Sequence, residues 1–221
     1  MIVKKKELNR TEIADALFVR FPQLVVCRAD FEKAYNVFAR CYRHGGKVLV
    51  AGNGGSAADS EHIVGELMKS FLFNRKIDTA LAVNLEEMFG EQGAALAQKL
   101  EGALSAIPLT SMSALTSAFA NDVDAAVSFA QMINGYGSNG DVFWGITTSG
   151  NSKNILYALM TAKAKGLTTV VLTGDTGGKS RDLADITICV PEKETFKIQE
   201  LHLPIYHALC AMLEADFFEE R

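Results

Sequence analysis

The sequence predicts a single α/β domain in which helices cover both faces of a mostly parallel sheet. Short apolar segments rich in Val, Leu and Ile alternate with helical segments along the second half of the chain, which is the pattern of βαβ units. Two of these apolar segments end in polar turns rich in glycine or hydroxyl residues. A length of 221 residues with 48% hydrophobic residues is enough for one substantial core. We therefore expect one structural domain with its ligand site at the carboxyl ends of the strands.

Two helices are predicted before the first strand. The first spans about 8–21, where Pro22 interrupts the pattern, and the second spans about 30–44 and ends at a glycine pair. Residues 1–46 are therefore predicted to form N-terminal helices that pack on their own core or on a neighbouring subunit. Residues 47–221 are predicted to form the sheet-containing part of the domain.

The strands and the remaining helices follow from apolar runs and from helical spacing between turn residues. The predicted strands are 47–51, 79–83, 141–146, 167–173 and 185–190, with 107–110 a weaker candidate. Pro108 suits an edge strand or a strand start. The predicted helices are a long insertion over 84–106 that Gly90 and Gly93 divide, and then 114–120, 125–134, 153–165 and 196–218.

Composition and charge exclude several classes of function. A net charge of −4 without a dense basic cluster gives no reason to expect a nucleic-acid partner. No segment approaches the roughly 20 apolar residues that span a bilayer, and no apolar stretch follows the basic N-terminus as it would in a signal peptide. The four cysteines lie far apart without metal-type spacing. We expect an acidic, soluble, cytoplasmic protein with reduced thiols and no membrane partner.

The strand at 47–51 leads into a glycine turn, Gly52-Asn53-Gly54-Gly55-Ser56, and then into a helix that carries Asp59, His62 and Glu66 on one face. The turn is neither a dinucleotide fingerprint, because Ala57 occupies the sixth position, nor a P-loop, because no lysine follows. His62 and Glu66 form either a two-ligand metal face or an acid–base pair. The alternative is a solvated helix face, which is the usual role of an isolated His–Glu pair.

The clearest anion site is the turn after the strand at 141–146. Its side chains supply four hydroxyls, from Thr147, Thr148, Ser149 and Ser152. Free backbone N–H groups and the positive end of the following helix dipole add to these donors, and together they suit a phosphate group. A simple helix cap by Ser152 or Asn151 is the alternative, but six consecutive polar residues exceed that need. Paired with the glycine turn on an adjacent strand, this turn would form one crevice for a small phosphorylated ligand.

The last helix adds polar side chains to this picture. Gln199 and His207 lie two turns apart on roughly the same side, whereas His202 points elsewhere and suits a structural or interfacial role. Pro204, inside this helix, predicts a kink between them. Residues that are unfavourable in their local structure, such as a proline inside a helix, often occur near functional sites. A kinked core helix without function gives the same pattern.

Together these residues resemble the SIS (sugar isomerase) domain family, and in particular its phosphoheptose isomerase (sedoheptulose 7-phosphate isomerase) branch. The matching segments, in the family's order, are 52–56, His62 with Glu66, Asn121-Asp122, 147–152, 172–174 with Gly177-Gly178, and 198–200 with His202 and His207. The resemblance runs from about Lys47 to the C-terminus. The set of His62, Glu66, Gln199 and His207 is what points to this branch.

The resemblance implies a five-stranded parallel sheet in three layers and a homotetramer with shared active sites. It implies aldose–ketose isomerisation of a small phosphorylated sugar through an enediol, most simply sedoheptulose 7-phosphate to D-glycero-heptose 7-phosphate. Glu66 and His207 match the acid–base residues, and His62, Glu66, Gln199 and His207 match a Zn²⁺ site. The substrate-binding and phosphate-binding residues that it implies are Asn53, Gly54, Ser56, Asp122, Thr147, Thr148, Ser149, Ser152 and Gln199.

The sequence departs from the family pattern in three places. The stretch 84–106 is longer than in compact members and could change access or substrate size. The arginine usual one place after Lys69 is missing, which leaves Lys69 or Arg75 as substitutes. Thr195-Phe196-Lys197 replaces the usual residues before 198–200. These departures put the identity of the sugar in question more than the reaction.

Two other functions remain open at this point. The first is a non-catalytic SIS module that binds a phosphosugar as a signal or binds a protein partner, as in the related replication-initiator-binding protein. Such a module has no need of His62, Glu66, Gln199 and His207 together. The second is a lyase or etherase acting on an amino-sugar phosphate, which the carboxylate–histidine set matches less well.

Overall fold

The computed structural model describes residues 9–218, so the predicted start of the first helix at Leu8 lies outside the described residues. Within them, five strands form one parallel sheet in the order β2-β1-β3-β4-β5. The strands are β1 (Val48–Gly52), β2 (Ala106–Pro108), β3 (Val142–Thr147), β4 (Thr168–Thr173) and β5 (Ile186–Cys189). The helices are α1 (Arg10–Arg20), α2 (Arg28–Arg43), α3 (Gly55–Met68), α4 (Thr79–Ala97), α5 (Ser113–Phe119), α6 (Ser128–Tyr136), α7 (Lys153–Ala164), α8 (Ser180–Leu183) and α9 (Thr195–Phe218). The predicted α/β class with a five-stranded parallel sheet is confirmed.

The order in which the chain adds strands to the sheet changes direction between β1 and β3. From β1 the chain adds β2 at one edge and then returns to place β3 on the other side, where Val50 pairs with Trp144 and Gly52 pairs with Ile146. Such a switch point opens a crevice at the carboxyl ends of the two strands. The two polar turns singled out in the sequence lie at this position.

Helices cover both faces of the sheet, as a buried parallel sheet requires. On one face, Val50 of β1 and Trp144 of β3 belong to a core that α1, α2 and α9 complete. On the other face, Leu49 and Phe143 belong to a second core that α6 and α7 complete. Adjacent strand residues thus point to opposite layers, and the molecule has the predicted three-layer arrangement.

The predicted strand at 79–83 is wrong. These residues begin α4, because the side chain of Asp78 accepts hydrogen bonds from the backbone N–H groups of Ala80 and Leu81 and caps the helix. The segment mixes Ala and Leu, which favour helices, with only two β-branched residues. The place at the sheet edge is taken by β2, the weaker candidate around Pro108, which pairs with Val50.

The insertion is helical but shorter than predicted. Gly90 has φ 59° and divides α4, which confirms the predicted break there. Gly93 lies inside the second half, against the backbone carbonyl of Leu85, and does not divide it. Helix α4 ends at Ala97, and the chain then reaches β2 without further helix. No helix within residues 9–218 has the length and apolar character that crossing a membrane demands.

Two further helices differ in detail from the predictions. Helix α6 begins at Ser128 rather than at residue 125, because a π-helical turn (Ala120–Asp124) and a 3₁₀ turn (Ala125–Val127) precede it. Helix α9 runs through Pro204 as one element.

Candidate active site

The turns after β1 and β3 meet at the switch point. Asn53, in the glycine turn, and Asn154, in the first turn of α7, exchange two side-chain hydrogen bonds of 3.0 and 2.8 Å. This reciprocal amide pair places the start of α7 beside the turn that leads into α3. The structure therefore brings the two predicted loops to one crevice.

The loop at 147–152 is held in shape by its own hydroxyls and by the next loop. Thr147 is buried, and its Oγ1 lies 3.0 Å from Oγ of Ser152. Ser152 makes no side-chain capping bond to α7, so the simple-cap alternative does not account for this hydroxyl. Ser149 accepts a hydrogen bond from the backbone N–H of Asn151. The backbone carbonyl of Thr148 accepts from the N–H of Gly174 at 3.1 Å.

Gly150 is required at the centre of this loop. It has φ 66°, and a Cβ there would lie 2.0 Å from the carbonyl oxygen of Gly177. Its own carbonyl accepts a hydrogen bond from the N–H of Ser180. Two loops are thus packed backbone to backbone, which leaves little freedom for the hydroxyl side chains.

The glycine turn is a tight strand-to-helix connection. Gly54 has φ 56°, in the left-handed region that favours glycine. The buried Ser56 donates its backbone N–H to the carbonyl of Asn53 at 3.0 Å. The side-chain amide of Gln199 lies against Gly55, because a Cβ at that glycine would lie 2.5 Å from Nε2 of Gln199.

His62 and Glu66 on α3 meet His207 from α9. Nε2 of His62 lies 3.1 Å from Oε1 of Glu66 and 3.3 Å from Nε2 of His207. One ligand atom from each of the three residues lies within 4.8 Å of the others. For tetrahedral zinc with bonds of 2.0–2.2 Å, neighbouring ligand atoms are about 3.4 Å apart, so these residues fit one face of a zinc site.

The environment keeps His207 neutral. Burial lowers the pKa of His207, the nearby His62 lowers it further, and the carboxylate of Glu66 opposes both effects. The side chain of Glu66 is only 12% exposed, whereas that of His62 is 42% exposed. A neutral imidazole facing a sheltered carboxylate can either bind a metal or accept a proton.

The comparisons with known proteins agree with this geometry. A family model described as SIS domain matches residues 26–104 and 82–174. The chain belongs to the SIS domain family. A phosphoheptose isomerase of Aneurinibacillus thermoaerophilus is 39% identical over 180 residues, which cover 81% of this chain and 78% of the relative. One from Synechocystis is 34% identical over 190 residues, covering 86% of this chain and 84% of the relative.

Solved structures of phosphoheptose isomerases have a fold similar to that of this SIS domain. A phosphoheptose isomerase from Neisseria gonorrhoeae superimposes with a TM-score of 0.66 and 27% identity, over 90% of this chain and 97% of that one. One from Francisella tularensis gives a TM-score of 0.67 with the same identity and coverage.

Two predicted site residues of the SIS domain lie apart from the cluster. Gln199 is eight residues before His207 on α9, or about 12 Å along the helix axis, and contacts the start of α3 as described above. Asp122 lies in an exposed π-helical turn, where its Oδ1 accepts a hydrogen bond from the side chain of Asn121 at 2.7 Å. Within residues 9–218 no hydrogen bond joins either of them to His62, Glu66 or His207, so their roles stay predictions.

Tyr206 is a site residue that the sequence reasoning missed. Its hydroxyl lies 3.0 Å from Nδ1 of His62 and 3.2 Å from Oδ1 of Asp59. Asp59 shares the helix face of His62 and Glu66, which was visible in the sequence. Tyr206 is the residue before His207, and its adjacency to that histidine was the available signal.

Arg75 does not replace the missing family arginine. Its side chain is fully buried and forms an ion pair of 2.7 Å with Glu214, which is also fully buried. It cannot reach a substrate from there. Lys69, the other substitute, is exposed and its Nζ lies 3.5 Å from Oε2 of Glu66. Lys69 therefore remains the candidate cation beside the site.

Proposed function

We propose that the protein is a phosphoheptose isomerase, which interconverts sedoheptulose 7-phosphate and a D-glycero-heptose 7-phosphate through an enediol. The observation that carries this proposal is the meeting of His62 and Glu66, on the helix that begins at the glycine turn, with His207 from α9. The similarity to phosphoheptose isomerases over most of the chain supports it.

The phosphate group is assigned to the loop at 147–152. Donors come from the hydroxyls of Thr147, Thr148, Ser149 and Ser152 and from the N-terminus of α7. Asn53, Gly54 and Ser56 form the adjacent wall, and Gln199 closes it from α9. His62 lies about 10 Å along α3 from Gly55, a separation that suits an extended heptose phosphate better than a triose phosphate.

Glu66 and His207 are assigned the proton transfers. Isomerisation moves a proton between C1 and C2 and a second proton between the two oxygens. The sheltered carboxylate of Glu66 takes the carbon-bound proton, and neutral His207 passes the proton between O1 and O2. One ligand atom of each residue lies within 4.8 Å of the other, which is close enough for both to serve one substrate.

His62, Glu66 and His207, with Gln199 as a fourth candidate, are assigned to Zn²⁺. When bound, zinc supplies a Lewis acid that polarises the sugar carbonyl and stabilises the charge that develops on oxygen. A zinc-bound Glu66 would be a weaker base than a free one, so metal binding and proton transfer would compete for this carboxylate.

The quaternary structure proposed is a homotetramer with shared active sites. Helix α4 exposes apolar side chains in a single chain: Leu81, Val83, Met88, Phe89 and Leu96. An apolar groove of about 460 Å³ between α1 and α9 reaches His207, so a neighbouring subunit seated there would border the site. We place the protein in the cytoplasm, where its cysteines, all free in the structure, would stay reduced.

The test is isomerisation of sedoheptulose 7-phosphate in D₂O with added Zn²⁺, followed by NMR. Wild type should incorporate deuterium at C1 or C2, and Glu66→Gln or His207→Ala should lower turnover by about 10²–10⁴-fold. Glu61→Gln, a change at another α3 carboxylate that accepts hydrogen bonds from the hydroxyls of Thr110 and Ser111, is the matched control and should keep full activity. A wild-type enzyme that exchanges no deuterium into any heptose, hexose or pentose phosphate would refute the proposal.

A further inference from the structure

The buried hydroxyl of Tyr206 bridges two residues of α3. It lies 3.2 Å from Oδ1 of Asp59 and 3.0 Å from Nδ1 of His62, and the tyrosine is only 1% exposed. The other ring nitrogen of His62, Nε2, faces Glu66 and His207. The imidazole is thus held on its Nδ1 side by α9 and presents its Nε2 side to the cluster.

The single proton of the Tyr206 hydroxyl determines the directions of the two hydrogen bonds in this bridge. A phenol has one proton to donate, and a carboxylate only accepts hydrogen bonds. Tyr206 therefore donates to Asp59, and its oxygen accepts the Nδ1–H of His62. Oδ2 of Asp59 is buried without a hydrogen-bond partner among residues 9–218, so the phenol is the donor that the structure gives this carboxylate.

We propose that Asp59 and Tyr206 are positioning residues that bind the Nδ1–H of His62 and direct its Nε2 edge towards Glu66 and His207. A partner on the second ring nitrogen commonly fixes the tautomer and orientation of a metal-binding histidine. The orientation of the ring follows from the hydrogen bonds alone, whereas its importance for turnover rests on the proposed function.

Tyr206 also fixes the orientation of the two imidazole rings. Its ring packs edge-on against His62 at 5.4 Å between centroids and against His207 at 5.0 Å. A phenylalanine would keep both ring contacts and remove only the hydroxyl. Tyr206→Phe therefore isolates the hydrogen bonds from the packing.

Tyr35 offers a matched control. It is another buried tyrosine, and its hydroxyl donates to the carboxylate of Asp216 at 2.9 Å. Tyr35→Phe removes the same type of bond away from the cluster. Both variants should lower the melting temperature to a similar extent, so a purely structural role predicts no further difference between them.

Two measurements separate the variants. Zn²⁺ affinity, from competition with a chromophoric chelator, should fall about 10–100-fold for Tyr206→Phe and stay unchanged for Tyr35→Phe. In ¹⁵N-NMR spectra of the metal-free protein, the chain's four histidines give few imidazole signals, and His62→Gln assigns the one of interest. That signal should show a protonated Nδ1 in wild type and a mixture of protonated and unprotonated Nδ1 in Tyr206→Phe.

Either of two results would overturn the proposal. One is an unprotonated Nδ1 of His62 in the wild-type protein, and the other is a Tyr206→Phe variant with an unchanged His62 signal. If wild type turns over no sugar phosphate but the Nδ1 signal changes in Tyr206→Phe as expected, the positioning role stands and the proposed reaction fails.

Discussion

Replacing Glu214 by leucine is expected to destabilise the fold strongly, because the fully buried Glu214 is the centre of a polar network. Its Oε1 accepts from Nε of Arg75 at 2.7 Å and from the backbone N–H of Phe71 at 2.7 Å. Its Oε2 accepts from the N–H of Leu72 at 2.6 Å. Arg75 in turn donates to the backbone carbonyls of Glu66 and Leu67 at the end of α3.

The expected loss follows from what the substitution leaves behind. Removing one partner of a buried ion pair costs about 3–5 kcal/mol, because the other charge remains uncompensated. The orphaned N–H groups of Phe71 and Leu72 add about 1 kcal/mol each or more. Since these terms share one side chain and do not fully add, we expect a loss of about 5 kcal/mol. At about 2–4 °C per kcal/mol for a chain of this size, the melting temperature should fall by roughly 10–20 °C.

The assay is thermal and urea unfolding at one fixed protein concentration, because association would shift the apparent stability. The control is Glu101→Gln, which alters an exposed carboxylate that accepts from the adjacent Ser70 N–H at 2.7 Å and should change little. A double variant, Arg75→Met with Glu214→Leu, should recover much of the loss, because no buried charge remains. A Glu214→Leu variant whose free energy of unfolding falls no more than that of Glu101→Gln would refute this prediction.

Two further predictions concern the phosphate loop and a buried histidine. Gly150→Ala should weaken binding of the sugar phosphate at least tenfold, measured as KM or by calorimetry, because its Cβ would collide with the carbonyl of Gly177; normal binding would contradict this. Burial lowers the pKa of His202 from 6.5 to about 4. As the pH falls, this histidine therefore becomes protonated in the unfolded chain before it does so in the folded protein. Its contribution to stability is complete above pH 6.5 and falls by about 3 kcal/mol as the pH drops to 4. Unfolding of a His202→Leu variant should lack that part of the pH dependence, and an unchanged slope would disprove it.

The strands of the sheet centre could be predicted because their environment is uniform. Residues 47–51 and 141–146 are apolar runs buried on both faces, and such runs are distinctive. The segment 79–83 is apolar for a different reason, since it belongs to a helix with exposed apolar side chains. Apolar character alone did not distinguish the buried strands from the start of this helix. The helix cap at Asp78 was the local signal that could have distinguished them.

The site was predictable to the extent that its residues share one element. His62 and Glu66 follow from their spacing of four on α3, and the hydroxyl loop follows from its position after β3. The pairing with His207 came from the resemblance to the SIS family. The bonds from Tyr206 to Asp59 and from Arg75 to Glu214 join residues 147 and 139 positions apart, and no local pattern encodes how two helices cross.

Along α3 and α9, the Asp59–Tyr206 pair lies on one side of the His62–Glu66–His207 cluster, and the Arg75–Glu214 pair lies on the other. Asp59 and Tyr206 join α3 to α9 on one side of His62, and Arg75 holds the backbone carbonyl of Glu66 while pairing with Glu214, two turns beyond His207. The exposed His62 alone would be free to rotate. Since burying the ion pair yields little net stability against an apolar pair, its structural effect is to fix the positions of α3 and α9. Variants that loosen either connection should therefore lose metal affinity under conditions in which the domain is still folded.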